Sequence, residues 1–167
     1  MSGGLERIWA GWRSEYVSDP NTGRTDTSCV LCNLVAATDD AEALVVERTA
    51  ETIVVMNLYP YGSGHLMVAP TRHVASLEDL EDDELIALSR AQVRGLRAIR
   101  AAYRPDGVNL GANIGRAAGA GVPTHLHVHV LPRWSGDTNF TTTIAGVRVL
   151  SEDLRTGYDK LLAAWPG

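Results

Sequence analysis

Three of the chain's five histidines, His125, His127 and His129, lie within one five-residue stretch and alternate with apolar residues. Strict alternation of this kind, with β-branched residues among the apolar ones, predicts a strand over residues 124–134. Side chains two positions apart in a strand share a face, so the three imidazoles should line one side while the aliphatic residues enter the core. This stretch is therefore the part of the chain best suited to chemistry.

Metal chelation and nucleophilic catalysis are the two kinds of chemistry that a row of imidazoles offers. One ion cannot bind all three rings, because a strand rises roughly 3.3 Å per residue and a zinc–nitrogen bond is only about 2.0–2.1 Å long. In nucleophilic catalysis, a neutral imidazole attacks an electrophile while its neighbours orient it or protonate the leaving group. We favour this chemistry over a polar strand face in solvent, for which Thr or Lys would serve as well.

Cys29 and Cys32 form a CxxC pair, which is the second chemical signal in the chain. In a cytosolic protein such a pair is either a redox couple or half of a zinc site. No thioredoxin-like βαβ pattern surrounds the pair, and this weighs against the redox couple. The remaining alternative is two buried thiols that pack as small apolar side chains.

Length and composition bound the class of protein. At 167 residues, 45% apolar and 21% charged, the chain is predicted to be one globular domain with a sizeable core. The formal net charge of −5 argues against an extended nucleic-acid interface, which needs a basic face. No stretch approaches the roughly 18 apolar residues of a membrane span, and the N-terminus lacks a signal-peptide core. We therefore expect a cytoplasmic protein with no membrane or nucleic-acid partner and with reduced cysteines.

Hydrophobic periodicity predicts an α+β domain in which one long helix packs on an antiparallel sheet. The predicted strands, separated by turn residues, are 43–48, 52–57, 65–69, 108–114 and 124–134, with a further strand-like run at 141–150. Helices are predicted over 76–103 and 152–165. Aromatic residues three to four positions apart indicate a short helix or docked arm over residues 5–17.

The long helix is predicted to begin near Ser76, which forms a capping-box pattern with Asp79. Six of the seven residues from 78 to 84 are acidic, and carboxylates favour the N-terminal end of the helix dipole. This run therefore needs no separate function. The face opposite the apolar stripe is expected to be solvated and contains Arg90, Arg94, Arg97 and Arg100.

Three segments of the chain occur in the order and spacing of a known family. His125 to Leu131 matches the pattern His-φ-His-φ-His-φ-φ, in which φ is apolar. Upstream, residues 57–60 and 64–70 form an apolar strand, a Pro/Gly turn and a second strand, and residues 109–119 form a strand and a Gly-rich loop. On these segments the chain resembles the histidine triad (HIT) family, over roughly residues 29–140.

The resemblance implies a HIT-like fold, with an antiparallel five-stranded sheet, one long helix and a C-terminal helix. It implies a single domain over residues 1–167, with a core at 29–140, an N-terminal arm at 1–28 and a C-terminal extension at 141–167. It also implies a homodimer whose sheet continues across the interface.

The Trp-rich N-terminus, the segment 57–61 and the tail 132–140 resemble one branch of the family, which contains bacterial diadenosine tetraphosphate phosphorylases and hydrolases. This branch implies a nucleotidyl hydrolase or transferase that acts on a purine nucleotide. His127 is expected to attack the α-phosphorus and form a covalent nucleotidyl-histidine, which water or inorganic phosphate then resolves. Loop N–H groups and His129 would stabilise the phosphate oxygens, and His125 would hold the strand or the tautomer of His127.

The residues expected to bind substrate follow from the same resemblance. Asn57 would hold the ribose or base, and Asn113 would hold the loop or phosphate. His65 would border the base pocket, with a core or loop role as the alternative. The full set is Asn57, His65, Asn113, Gly119, Gly121 and Trp134.

The Gly-rich loop departs from the family pattern at one point. Glycines let a loop turn its backbone N–H groups toward phosphate oxygens. Many family members also have Ser or Thr near the end of this loop, whose hydroxyl binds the phosphate. Here Gly121 and Val122 occupy that region, so backbone N–H groups or Thr124 would have to replace the hydroxyl.

Family members with an N-terminal CxxC often place matching histidines at the positions of His73 and His125. The resemblance therefore implies a Cys₂His₂ zinc site formed by Cys29, Cys32, His73 and His125. A closed four-ligand site of this kind is structural and would pin the N-terminal segment to the sheet. No organic cofactor is expected.

Three other functions are compatible with these residues. An adenosine phosphoramidase of the same family would differ in its leaving group. A metallohydrolase would bind a catalytic metal through His127 and His129, or through His65, and chelators would abolish its activity. A non-enzymatic module would bind a purine nucleotide without turning it over, although such a module would not need the middle histidine.

Overall fold

The computed structural model describes residues 29–138 and 150–166. The predicted arm at 5–17 and almost all of the strand-like run at 141–150 lie outside these residues. The strands are β1 (Val45–Arg48), β2 (Thr52–Met56), β3 (Leu66–Pro70), β4 (Gly107–Ala112) and β5 (Val128–Arg133). The α-helices are α1 (Val30–Ala36), α2 (Asp82–Tyr103) and α3 (Leu154–Ala163), and short 3-10 turns span Leu77–Asp79 and Arg116–Ala118. None of the helices in the described ranges could cross a membrane.

The five strands form one sheet in the order β1-β2-β3-β5-β4, and every neighbouring pair is antiparallel. β5 lies between β3 and β4, and His129 in β5 is paired with Met67 on one side and Gly111 on the other. β4 is an edge strand. The predicted α+β class and five-stranded antiparallel sheet are confirmed.

Both faces of the sheet are covered at β2, where all five residues are buried. Because side chains alternate along a strand, Val54 and Ile53 point to opposite faces. Val54 lies in the apolar cluster that contains Leu88 of α2, and Ile53 lies in the cluster that contains Leu31 of α1. The long helix therefore packs on one face, as predicted, and the segment that begins with the cysteines packs on the other.

The helix α2 begins six residues later than the sequence predicts. Ser76 starts a single 3-10 turn instead, and its hydroxyl donates to Glu78. The capping box forms at Glu81 and Glu84, where each side chain accepts a hydrogen bond from the other residue's backbone N–H. Two capping patterns, Ser76 with Asp79 and Glu81 with Glu84, follow one another in the sequence. The extended backbone at Leu80 separates them.

One member of the arginine row does not fit the expected solvated face. Arg94 forms a bidentate ion pair with Glu47 of β1, with both N–O distances at 2.6 Å. Glu47 also accepts a hydrogen bond from the indole of Trp165 at 3.0 Å. Arg94 therefore ties α2 to the sheet and to the C-terminal end of the described chain, whereas Arg90, Arg97 and Arg100 are exposed.

The short helix α1 was not predicted. It begins directly after Cys29, whose backbone is extended and whose side chain forms no cap hydrogen bond. At the other end, Arg48 of β1 donates to the carbonyl oxygens of Val35 at 2.6 Å and Leu34 at 3.1 Å. A seven-residue helix is marginal by itself, so contacts from elsewhere in the chain stabilise it. Sequence periodicity cannot detect such a helix.

β5 begins at Val128, although the sequence predicts a strand from residue 124. The last cross-strand partners at this end are Val68 and Ala112, and both pair with Val128. The N–H of Leu126 donates instead to the carbonyl of Val74 at 2.6 Å. The two earlier histidines of the triad therefore lie in a segment that leaves the sheet, which lets their side chains reach different surroundings.

Candidate active site and metal centre

His127 lies directly before β5, and only 5% of its surface is exposed. Its Nδ1 lies 2.8 Å from the carbonyl oxygen of His125. Since a carbonyl can only accept, Nδ1 carries the proton and the neutral ring keeps its lone pair on Nε2. Burial lowers the pKa of His127 from its ordinary value and outweighs the opposing effect of this hydrogen bond. The ring is thus held neutral, with Nε2 as its nucleophilic atom.

His129 lies beside His127, with the two ring centroids 5.0 Å apart, and its protonation follows from a chain of hydrogen bonds. The N–H of Tyr61 donates to Nδ1 of His65 at 3.0 Å, so neutral His65 carries its proton on Nε2. That Nε2 lies 3.0 Å from Nδ1 of His129, which must accept. Neutral His129 therefore carries its proton on Nε2 and can donate it to an oxygen atom in the site.

Two buried side chains, Asn57 and His65, organise the turn between β2 and β3. Oδ1 of Asn57 accepts the N–H of Tyr59 at 3.0 Å, and its Nδ2 lies 3.4 Å from Nδ1 of His65. The amide is thus engaged inside the turn, and its expected contact with a ribose or base stays a prediction. His65 lies in the core against His129, and its contact with a base also stays a prediction.

Tyr61 is a residue of the site that sequence reasoning missed. Its ring centroid lies 4.6 Å from that of His65 and 5.5 Å from that of His129, so it covers both imidazoles. The signal available in the sequence was an aromatic residue within 57–61, a segment that resembles one branch of the HIT family. Its contact with the triad depends on the fold of that turn, which periodicity does not predict.

A cluster of four side chains that could hold a metal ion includes His125, the first histidine of the triad. The ligand atoms of Cys29, Cys32, His73 and His125 all lie within 4.8 Å of one another. Sγ of Cys32 lies 3.1 Å from Nδ1 of His73 and 3.5 Å from Nδ1 of His125. Nitrogen and sulfur ligands of a tetrahedral zinc ion, with bonds of about 2.0–2.1 and 2.3 Å, stand about 3.6 Å apart, so this spacing fits. The predicted ligands are confirmed as a group that could hold a metal ion.

His125 links this cluster to the nucleophile. Its Nε2 donates to the carbonyl of Pro70 at 2.9 Å, so the lone pair of the neutral ring is on Nδ1. Nδ1 lies 3.4 Å from Sγ of Cys29, and burial is the main cause that lowers the pKa of His125. The side chain of His125 thus belongs to the cluster that could hold a metal ion, while its main-chain carbonyl fixes the tautomer of His127.

Comparison of the sequence with models of known protein families identifies the family of this chain. The family model described as the HIT domain matches residues 38–136. The chain belongs to the HIT family. An AP-4-A phosphorylase of Mycobacterium tuberculosis is 40% identical to this HIT protein over 167 residues, which cover 96% of this chain and 85% of the relative.

Solved structures of HIT proteins share the fold. A Zn-bound histidine triad family protein from Mycobacterium smegmatis has a TM-score of 0.68 and 30% identity, covering 84% of this chain and 94% of that chain. A hypothetical histidine triad nucleotide-binding protein from Sulfolobus tokodaii has a TM-score of 0.64 and 28% identity, covering 81% and 88%. The family resemblance and the HIT-like fold expected from the sequence are confirmed.

The Gly-rich loop of the HIT domain lies between β4 and the triad and contains Asn113, Gly119 and Gly121. Gly119 adopts a positive φ of 85°, and its N–H donates to the carbonyl of Arg116 at 2.9 Å. A phosphate cradle in this loop would therefore rely on N–H groups other than that of Gly119. The binding roles expected for these three residues stay predictions.

Trp134 follows β5 near the end of the matched HIT domain. At the strand rise of about 3.3 Å per residue it lies about 16 Å along the chain from His129. Its ring packs edge-on against Tyr103, with 6.2 Å between the ring centroids. The structure thus places Trp134 in a contact with the end of α2, and its expected role in substrate binding stays a prediction.

Proposed function

We propose that this HIT protein is a nucleotidyl hydrolase or transferase that cleaves dinucleoside polyphosphates, such as diadenosine tetraphosphate, at an α-phosphate. The observation that carries the proposal is the state of His127, which is buried, neutral and bonded through Nδ1–H to the His125 carbonyl. An imidazole held in this tautomer offers Nε2 to an electrophile without first losing a proton. The 40% identity to the AP-4-A phosphorylase of Mycobacterium tuberculosis supports this class of substrate.

The proposed reaction has two steps. In the first, Nε2 of His127 attacks the α-phosphorus and forms a P–N bond, while the bond from that phosphorus to the bridging oxygen breaks and ATP leaves. His129, with its proton on Nε2, donates to a phosphate oxygen as charge moves onto it. In the second step, an oxygen of inorganic phosphate or water attacks the phosphorus and frees His127. Phosphate as acceptor gives ADP, and water gives AMP.

We further propose that the four-ligand cluster binds zinc in a structural role, which the Zn-bound relative from Mycobacterium smegmatis supports. Cys29, Cys32, His73 and His125 would fill all four positions of a tetrahedral ion and leave none for substrate. Zinc bound there would supply a fixed attachment point for the ring of His125. The carbonyl of the same residue then holds His127 in place.

The same two thiols support a proposal about the cellular compartment of the protein. Cys29 and Cys32 are not joined in a disulfide, and a reducing compartment keeps thiols available for a metal ion. We therefore propose a cytoplasmic location, with a purine nucleotide as the main small-molecule partner. The net charge of −5 does not favour binding to nucleic acid.

The acceptor is tested by incubating the purified protein with diadenosine tetraphosphate, with and without inorganic phosphate, and separating the products. ADP and ATP that appear only with phosphate would establish a phosphorylase. AMP and ATP in both reactions would establish a hydrolase. No turnover in either reaction would contradict the proposed substrate, and adenosine phosphoramidates would then be tested.

The pH dependence of this reaction should show the lowered pKa of His127. The acid limb of kcat/KM reports the essential base of the free enzyme, and we expect it to lie below about 6.5, the ordinary value for histidine. The internal phosphates of diadenosine tetraphosphate do not titrate near neutral pH, so the limb reports the enzyme. A pH–rate profile measured with this substrate tests the expectation. An acid limb at or above that value would show that burial does not keep His127 neutral.

We also propose a homodimer formed by pairing of β4 with its copy. β4 is an edge strand of the sheet, and Leu110 in its middle is 49% exposed. Within residues 29–138 and 150–166 no strand pairs with the outer side of β4, and such an edge offers backbone groups to a second strand. Leu110→Lys is expected to convert the dimer to a monomer in light-scattering measurements, whereas Leu162→Lys on α3 should leave the mass unchanged. A wild-type monomer, or an unchanged mass for Leu110→Lys, would contradict this interface.

A further inference from the structure

The matched HIT domain ends at residue 136, yet the C-terminal segment that contains α3 contacts the turn that precedes His65. The contact runs through Tyr103, the last residue of α2. Its hydroxyl donates to Oε1 of Glu152 at 2.5 Å, and Oε2 of Glu152 accepts from Lys160 at 2.5 Å. Glu152 and Lys160 both lie outside the matched domain, so this arrangement is an addition to it.

The ring of Tyr103 lies directly against Gly64. A Cβ at Gly64 would stand 2.6 Å from Cε2 of this ring, and the glycine has a positive φ of 72°. Both facts restrict the position to glycine, because a side chain would clash with the ring and the backbone conformation disfavours one. The C-terminal segment also contacts the turn directly, through the hydroxyl groups of Ser63 and Ser151 at 3.1 Å. The turn is thus contacted at two successive residues, at Gly64 by Tyr103 inside the matched domain and at Ser63 by Ser151 outside it.

The residue that follows Gly64 is His65, which sets the tautomer of His129. His65 accepts the N–H of Tyr61 and donates to Nδ1 of His129, with both distances at 3.0 Å. Either hydrogen bond would be weakened by a small movement of the turn, since hydrogen bonds depend steeply on distance and angle. Even a small displacement of a residue far from the reacting atoms can reduce the rate of the reaction substantially.

We propose that Tyr103, held by Glu152 of the C-terminal segment, is a positioning residue that fixes the turn carrying His65 and thereby the donor tautomer of His129. The inference rests on the proposed function for its effect on rate. Its structural content, the protonation pattern of the two histidines, does not depend on the identity of the substrate. Burial and the neighbouring carboxylate of Glu152 raise the pKa of Tyr103, which keeps its hydroxyl a donor at neutral pH.

The test compares Tyr103→Phe and Glu152→Ala, which break the bond from opposite sides, with Glu152→Gln, which keeps an acceptor for the hydroxyl. Tyr158→Phe is the matched control, because it removes another hydroxyl, bonded from α3 to the Val45 carbonyl at 3.1 Å. For Tyr103→Phe and Glu152→Ala, kcat on diadenosine tetraphosphate is expected to fall about 10-fold while KM stays within about twofold. Glu152→Gln and Tyr158→Phe should keep kcat near the wild-type value.

Nitrogen-15 NMR of the imidazoles supplies the readout that does not need activity. In the wild type, His65 and His129 should both show the Nε2–H tautomer, and Tyr103→Phe or Glu152→Ala should make His129 a mixture of tautomers. An unchanged tautomer pattern and kcat in both variants would overturn the proposal, as would an equal loss of kcat in Tyr158→Phe. If the wild type turned over no dinucleoside polyphosphate, the proposed function would fail, and the NMR comparison would still decide this inference.

Discussion

Replacing His127 with alanine is expected to reduce turnover of diadenosine tetraphosphate by on the order of 10⁴-fold or more, as when the nucleophile of a covalent mechanism is removed. The reason is that Nε2 of this ring, freed by the Nδ1–H bond to the His125 carbonyl, is the proposed attacking atom. Steady-state assays with and without phosphate measure the loss. Residual binding of the substrate should persist, because the turn and loop that would bind it are untouched.

The control for this variant is a check that the protein still folds. The ring of His127 is buried but lies outside the two apolar clusters of the core, so its removal should leave the sheet intact. A far-ultraviolet circular dichroism spectrum and a metal content equal to those of the wild type would show this. Near-normal activity in a folded His127→Ala protein would contradict the proposed mechanism.

The second large effect is expected for Cys32→Ser. Cys32 lies on α1, and its Sγ contacts both histidines of the cluster, so the variant should lose most of its zinc. The free energy of unfolding should fall by about 3 kcal/mol, because α1 loses an attachment to the sheet. For a chain of this size, that loss lowers Tm by about 6–12 °C. Elemental analysis and calorimetry measure the two changes.

Asn33→Ala is the matched control, because Asn33 lies on the same short helix but is exposed and is not part of the cluster. This variant should keep its zinc and nearly all of its stability. The rate should also fall in Cys32→Ser, since the His125 carbonyl that orients His127 would lose its fixed position. A Cys32→Ser protein with wild-type zinc content would contradict the proposed metal centre.

The sheet could be predicted because its strands have local signals. The apolar runs of β2 and β3, and the turn residues that bound them, correspond to the observed strands within one residue. The order of the strands has no such local signal, because β5 lies between β3 and β4 and pairs with residues far away in the chain. That order was not predicted, because periodicity reports on one segment at a time.

The parts that were not predicted depend on contacts between distant residues. α1 is stabilised by Arg48, whose guanidinium reaches the last carbonyls of a helix too short to show periodicity. The start of β5 at Val128 depends on where the pairing with its two neighbouring strands stops. Neither the stability of α1 nor the first residue of β5 is determined by the sequence of that element alone.

The site was predicted by residue type, but its protonation pattern was not. The triad and the CxxC pair have signatures in spacing, whereas the choice of His73 and His125 as partners of the cysteines came from the family resemblance. Which nitrogen of each imidazole holds the proton is decided by the carbonyls of Pro70 and His125 and the N–H of Tyr61. These are main-chain groups, and a sequence contains no record of where they point.

The covalent bond proposed between His127 and a nucleotide would add mass to the protein during turnover, and mass spectrometry detects that addition directly. The protein is mixed with diadenosine tetraphosphate in the absence of phosphate, quenched within a turnover under conditions that preserve P–N bonds, and analysed as intact protein and as peptides. We expect an added adenylyl group on the peptide that contains residues 125–133, absent from His127→Ala. Product formation with no such adduct at any quench time, or an adduct on another residue, would contradict it.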